Sequence, residues 1–575
     1  MKEYFPIFEW FPKLSKKSVQ NDLIAGLTVG VMLVPQGMAY ALLAGLPPVF
    51  GLYAALVPQI IYAMMGTSRQ LSVGPVAMDS LLVASGLAAL NLSGIDEYLS
   101  MAIFLAFFMG LIQIILGLLR MGFLVNFLSK PVISGFTSAA AIIIGLSQLK
   151  YLLGISFESS NKIHLIIFEV FEKVSQIHFI TLLIGLTGII LLVFIKKLNP
   201  SIPGALIVVI ASSFLIKYFG DELGVSIVGL VPEGLPSFRF PEIEISNISK
   251  ILPLALTLSL IAFMEAISVA KAIEEKKDYS IKPNQELIAL GTSNIIGSLF
   301  QSYPTTGGFS RTAVNDQAGA KTGLASIISA LVVGLTLLFL TPLFYYLPNT
   351  ILASIIMVAV FNLIDFKTPR KLLKSSKSEF YVLLFTFFIT LFIGIKEGII
   401  LGVLISLLLL VYRSTQPHVA VLGKIRGTNY FKDVDRFNDE IETYENLLLV
   451  RFDEQIYFGN CQFFKEQLFE RIDQKKGKLN VVILSSGGIN YIDSSGMKIL
   501  NEIISILKSK NIRFYMAGAI GPVMDSLFQS GVAKAIGGHH FFANTQQAFL
   551  YFLNKNPKNK IEKKISLQAN KEILE

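Results

Sequence analysis

Twelve apolar runs, each at or just short of bilayer-spanning length, begin near Leu23, Phe50, Met101, Val132, Phe179, Ala205, Leu252, Ile288, Leu324, Ile351, Phe380 and Ile399. In hydrocarbon every backbone polar group must be paired within the protein, so such runs become helices of a polytopic membrane protein. Only 15% of the 575 residues are charged, against roughly 25% in soluble domains. The bias is confined to one part of the chain. It dominates from about residue 22 to 411, whereas residues 413–575 read as ordinary soluble protein.

The segment that sets the function sits between two of these runs. Residues 302–322, SYPTTGGFSRTAVNDQAGAKT, are too polar and too short to cross as a plain helix, yet their neighbours hold them inside the membrane. The sequence predicts a backbone break over residues 303–308 and a short helix starting near Ser310. A helix start presents free N–H groups and partial positive charge, which suits an anion, and Arg311 adds a full charge there. Residues 66–86, GTSRQLSVGPVAMDSLLVASG, have the same build. Two interrupted segments at corresponding places in two halves point to a transporter's binding site. This predicts an anion site between two helix starts, with Val76 and Ala77 supplying backbone N–H groups on the first and Pro75 at its N1 position.

With the breaks after Gly74 and at Phe309 counted, there are about fourteen membrane segments. An inside N-terminus gathers Arg69, Arg120, Lys130, Lys196, Lys197, Lys271, Lys276, Lys277, Lys282, Lys321, Lys367, Arg370, Lys371 and Lys374 on inward loops. Outward loops hold Asp96 and Glu97, a mixed stretch over 157–173 and the acid-leaning 221–244. The long outward loop divides the spans into about seven and seven. An odd number per half makes the halves an inverted repeat, and each half breaks its third span.

The domains predicted are a cytoplasmic arm (1–21), an α-helical membrane transport domain (22–416), a cytoplasmic α/β domain (417–555) and a disordered tail (556–575). In the α/β domain, residues 447–452, 480–485 and 512–517 read as buried strands, and 461–474 and 494–508 as helices. The one cysteine, Cys461, excludes an internal disulfide and any cysteine-based metal site. The five histidines have no ligand spacing, so no metal or cofactor is expected. No nucleophile–base set or nucleotide loop is present, which argues against an enzyme or an ATP-driven pump. The net charge of +9 follows from basic inward loops without nucleic acid as a partner.

Longer motifs carry a resemblance. PPVFGLYAALVPQIIYAMMGTSR (47–69), VPQGMAYALLAGLPP (34–48) and GTSRQLSVGPVA (66–77) resemble the sulfate permease family (SulP, solute carrier family 26), although Phe50 stands where Tyr is common. FMEAISVAKA (263–272), TTGGFSRTAVNDQAGAKT (305–322) and LLFLTPLFYYLPNTILASII (337–356) look closest to its plant-type and bacterial sulfate transporters. INYIDSSGMKIL (489–500) resembles the STAS domain. The resemblance implies fourteen spans split into a core and a gate domain, elevator-like movement of one against the other, and a homodimer in the cell membrane with both termini cytoplasmic. Its implied activity is secondary transport of a small inorganic anion, sulfate with protons foremost. Bicarbonate, chloride or oxyanion exchange, dicarboxylates, and an uncoupled anion channel or sensor remain as alternatives.

By the same resemblance Phe309, Ser310 and Arg311 line the anion site, and Gln36 and Tyr40, one turn apart on the first span, close it. Glu265 lies well inside its span, and a carboxylate there holds a proton unless a cation is close, so it is the expected proton-coupling residue. Sodium-coupled bicarbonate relatives have an aspartate here and a hydroxyl residue a turn later. This chain has Glu265 and Val269, which argues against sodium. Asp79 has no evident role beside an anion. Ser494 and Ser495 match the place where a serine accepts phosphate in anti-sigma antagonists and where a protein partner would dock, though plain helix capping competes with that reading.

Overall fold

The computed structural model describes residues 4–88, 90, 92, 94–123, 129–156, 163–198, 204–241, 245–274, 277, 279–361, 364–437, 441–475 and 477–555. Lys276, parts of the two outward stretches (157–162 and 242–244) and the tail 556–575 lie outside the described residues. The chain forms two compact units, Met1–Ser406 and Leu407–Glu575.

Fourteen helices stand at the expected places among the described residues. They are α1 (Lys16–Leu43), α2 (Pro48–Met65), α3 (Ala77–Ala88), α4 (Ile95–Leu118), α5 (Lys130–Ser147), α6 (Phe179–Leu198), α7 (Gly204–Leu223), α8 (Ile245–Glu274), α9 (Pro283–Leu299), α10 (Phe309–Gln317), α11 (Leu324–Leu335), α12 (Asn349–Phe361), α13 (Lys377–Phe392) and α14 (Ile395–Thr415). The short α3 and α10 are third in each set of seven. Each is preceded by a two-residue strand, β1 (Val73–Gly74) and β2 (Thr306–Gly307), and the two strands pair antiparallel. Equivalent segments meet in this way when the halves of a repeat have opposite orientation. Among the described residues, eight helices are long and apolar enough to span a membrane, and three shorter apolar helices accompany them.

Some boundaries differ from expectation for local reasons. The first span starts at Lys16, ahead of Asp22, because Ser15 and Ser18 cap it reciprocally (3.1 and 2.8 Å). Asp22 is instead buried inside α1. It accepts from the Lys321 and Thr322 amides (2.6 and 3.1 Å) and the Thr322 hydroxyl (2.6 Å), fixing the turn that follows α10. Part of the stretch read as a mixed loop forms a helix, Ile163–Glu172, with only Ile166 buried.

Glycines set the closest helix crossings. A Cβ built on Gly110 of α4 would lie 2.5 Å from the Gly291 carbonyl of α9, and one on Gly291 would lie 2.6 Å from that of Gly110. Gly37 and Gly51 bring α1 and α2 together in the same reciprocal manner. α9 is less apolar than α2 and α4, the helices it packs against, because much of its surface is buried by protein. Its Glu286 accepts from the Tyr62 hydroxyl (2.6 Å) and from the Thr67 amide and hydroxyl (both 2.6 Å).

The second unit holds a sheet of seven strands in the order β4-β3-β6-β7-β8-β9, with β5 paired to β3. These are β3 (Val419–Ile425), β4 (Phe431–Asp433), β5 (Ile441–Glu442), β6 (Leu447–Phe452), β7 (Val481–Ser485), β8 (Arg513–Ala517) and β9 (Phe541–Phe542). β6, β7, β8 and β9 run parallel, so their connections carry helices, among them α15 (Cys461–Asp473) and α16 (Ser494–Ser509).

The glycine crossing gives a stability prediction. Gly110→Leu or Gly291→Leu forces side-chain atoms into a facing carbonyl and should cost about 3 kcal/mol or more, read as a lowered melting temperature of the purified protein. Gly145→Ala, where nothing lies within 4 Å, should leave that temperature unchanged or raise it slightly.

Candidate functional site

The two backbone breaks lie deep in the membrane unit, where unpaired amide and carbonyl groups are costly. They satisfy each other. Val73 faces Gly307 and Gly74 faces Thr306 across the short ladder. Just beyond it, the Gly308 amide donates to the Ser72 carbonyl (3.0 Å), and the Ser72 amide donates to the Thr312 hydroxyl (3.0 Å). Asn315 Nδ2 donates to the Gln70 carbonyl (2.9 Å), and Gln70 Nε2 to that of Ala320 (2.9 Å).

Side chains from neighbouring helices hold the second break. Asn294 of α9 donates to the Thr305 carbonyl (3.0 Å) and accepts from the Thr305 amide (2.9 Å). The Thr306 hydroxyl donates to the Ala262 carbonyl of α8 (2.6 Å). Buried Tyr303 shares a hydrogen bond with Ser80 of α3 (3.0 Å). The helices therefore start side by side. Residues Phe309, Ser310 and Arg311 begin α10, and Ala77, Met78 and Asp79 begin α3, so their amides belong to the first turn, which lacks intrahelical partners.

Arg311 is 2% exposed, while the adjacent Phe309 is 45% exposed and Ser310 is also open. The start of α10 thus lines an accessible space, with its guanidinium folded back against the break. Nη1 donates to the Pro75 carbonyl (2.8 Å), whereas Nε and Nη2 have no partner among the described residues. A Cβ on Gly74 would lie 3.4 Å from Nη2, and one on Gly308 would lie 2.8 Å from Cζ. At 308 a side chain would crowd the guanidinium, whereas at 74 it would only touch it.

The predicted site residues largely converge. Tyr40 lies within electrostatic reach of both Arg311 and Glu265. Gln36, a turn earlier, is buried with its carbonyl oxygen unpaired among the described residues, and the next residue, Gly37, sits against Pro75. Val76 and Ala77 are buried at the start of α3. Glu265 and Arg311 feel each other's charge, yet no ion pair joins them among the described residues, and Glu265 Oε2 is buried and unpartnered. Pro75 departs from its expected N1 place. It precedes the helix, the Val76 carbonyl accepts the first helical bond (from Ser80, 3.0 Å), and the Pro75 carbonyl is left for Arg311.

Sequence reading missed Tyr303, Ser72, Thr312 and Asn294. Their partners are distant in the chain, and only the hydroxyl-rich SYPTT hinted at them. Ser494 and Ser495 lie in the other unit. The cap of α16 is Asp493, which accepts from the Gly496 amide (2.7 Å), so both serines are free of that duty at the helix start, Ser494 exposed and Ser495 half-buried.

Thr312→Val tests the cross-brace. It leaves the buried Ser72 amide without an acceptor and should cost about 1–3 kcal/mol in thermal unfolding, while Thr312→Ser should restore most of the loss.

Residues 19–386 match the sulfate permease family and residues 438–548 the STAS domain. The chain is 37% identical over 562 residues to "Sulfate transporter 4.1, chloroplastic" of Arabidopsis thaliana, covering 95% of this chain and 82% of that protein. It is 36% identical over 566 residues to "High affinity sulfate transporter 2" of Stylosanthes hamata, covering 95% and 85%. The solved structure of SLC26A9 superposes with a TM-score of 0.89 at 25% identity, covering 97% of this chain and 94% of that one. Both relatives and the family are transporters, not enzymes. With a helical membrane unit broken twice at its centre and a C-terminal α/β unit, the chain belongs to the sulfate permease family, as a multi-pass membrane protein with a STAS domain.

Proposed function

We propose that this chain carries a small inorganic oxyanion, sulfate foremost, across the membrane together with protons. The observation that supports this reading is the β1–β2 pairing, which sets two helix amino ends beside a guanidinium with unused donors. Each helix end contributes about half a positive charge. With Arg311 the total is roughly two, the complement of a divalent anion. The amides and the Ser310 hydroxyl replace water around the oxyanion, and Phe309, Val76, Ala77, Gln36 and Tyr40 enclose it.

Glu265 supplies the coupling. As a carboxylate it opposes an entering dianion, and as a neutral acid it does not, so anion and proton favour each other's binding. The plant relatives carry sulfate in their names, which agrees with this charge match. Hydrogen bonds tie α3, α8, α9 and α10 to the two breaks, so this body can move as a unit against the remaining helices. That arrangement favours an elevator-type cycle. We further place the protein in the cell membrane as a homodimer with both termini cytoplasmic, and Ser494 and Ser495 as phosphate acceptors that regulate a protein contact.

Hydrogen bonds from a charged donor are worth about 1.5–3 kcal/mol each, so Arg311→Ala should weaken sulfate binding by roughly 100-fold or more. Binding of labelled sulfate to purified protein checks this, and unchanged affinity removes Arg311 from the site. In proteoliposomes, sulfate uptake should accelerate when the outside is acidified, and uptake indifferent to the pH gradient removes the coupling. Competition by bicarbonate, chloride and dicarboxylates should be weaker than by other divalent tetrahedral oxyanions.

A further inference from the structure

Asp79 is left without a role by the reading above. It lies in the first turn of α3, wholly buried, and neither carboxyl oxygen has a hydrogen-bond partner among the described residues. The titratable groups on the elements around it can be named one by one. α1 brings Tyr40, the loop before β2 brings Tyr303, α8 brings Glu265, and Arg311 reaches the break from α10. α4 keeps Asp96, Glu97 and Tyr98 in its first turn, where Tyr98 donates to the Ala44 carbonyl, and α5 carries Lys130 at its first position.

The charge that bears on Asp79 is therefore that of Glu265, of the same sign, while Arg311 bears on Glu265. The site holds one guanidinium and two carboxyls. With both ionised, the three side chains carry a net negative charge, and a helix amino end offsets only a fraction of the cost of sealing an unpaired carboxylate from water. With one proton retained, guanidinium and carboxyls balance. An entering dianion then draws in a second proton. Carboxyls in this relation bind protons as a pair, not as independent sites.

We propose that Asp79 and Glu265 form one proton-binding pair in which a proton stays on Asp79 while the site is empty and a second joins Glu265 with the anion. Resting on the anion–proton reading above, this adds that either carboxyl can carry the coupled proton when the other is removed. In E265Q, Arg311 loses its counter-charge, which lets Asp79 ionise in the empty site and regain its proton as the anion binds.

The test is sulfate affinity of the purified full-length chain from about pH 5 to about pH 9, where the slope of log Kd against pH counts the protons that must be bound. Sulfate is a dianion throughout, so the slope belongs to the protein. The pair predicts a wild-type slope of about 1 near neutrality, steepening toward about 2 at the alkaline end as Asp79 also ionises. D79N should stay at about 1, E265Q should keep about 1, and the double variant D79N/E265Q should fall to about 0. An E265Q slope near zero, or a slope that survives in the double variant, overturns the pair. A slope of about 1 in both wild type and D79N, with none in E265Q, removes the pair but leaves proton coupling through Glu265 standing. A flat wild-type profile removes that coupling too. Should E265Q fail to fold, loss of the alkaline steepening in D79N decides the matter, and its persistence contradicts the proposal.

Discussion

Two strands of two residues each, Val73–Gly74 and Thr306–Gly307, hold the membrane unit in the form it takes. A helix broken inside a bilayer frees amides and carbonyls that neither lipid nor its own residues can satisfy. Here each break supplies the partners of the other, first through the ladder and then through Ser72, Gly308 and Thr312. Neither break is tenable alone, so the two halves of the chain must fold onto one another to complete either. The surrounding polar side chains, Asn294, Tyr303 and Gln70 among them, secure what the ladder begins.

That pairing has an electrostatic consequence. It aligns two helix amino ends where lipid would otherwise exclude charge, and it places Gly308 so that no side chain crowds the Arg311 guanidinium. The arginine itself is only partly satisfied, by one carbonyl at Pro75. Positive potential is thus concentrated at the accessible start of α10, while Glu265 lies within reach of the guanidinium's charge and Asp79 within reach of that of Glu265.

Much of this was legible in the residues. Twelve of the fourteen helices followed from apolar runs, because burial in lipid leaves a strong and continuous signal. The two breaks stood out because PTTGGFS and SVGP cannot continue a helix among apolar neighbours. Strands β6, β7 and β8 were readable as apolar runs because both faces of a parallel sheet are covered. The short strands β4, β5 and β9 gave no such run, and in β3 the run Val419–Leu422 is cut off by Gly423 and Lys424. The direct pairing of Gly74 with Thr306 was not legible, since it depends on residues more than two hundred positions apart meeting in register. Nor was the displacement of Pro75 from N1, which follows from Val76 taking the capping place and Arg311 claiming the freed carbonyl. Asp22, placed near the start of a span, proved to anchor the turn after α10 through contacts that periodicity does not encode.

The central claim is that the paired helix starts are where the anion is held. Selenate, a heavier tetrahedral dianion, can be located by its anomalous scattering in crystals of the protein. The account predicts a single peak about 4 Å from the amide nitrogens of Ser310 and Ala77 and beside Arg311 Nη2, which puts the oxyanion's oxygens within hydrogen-bond reach of them. A selenate bound away from both helix starts, with that space left to water, would contradict it.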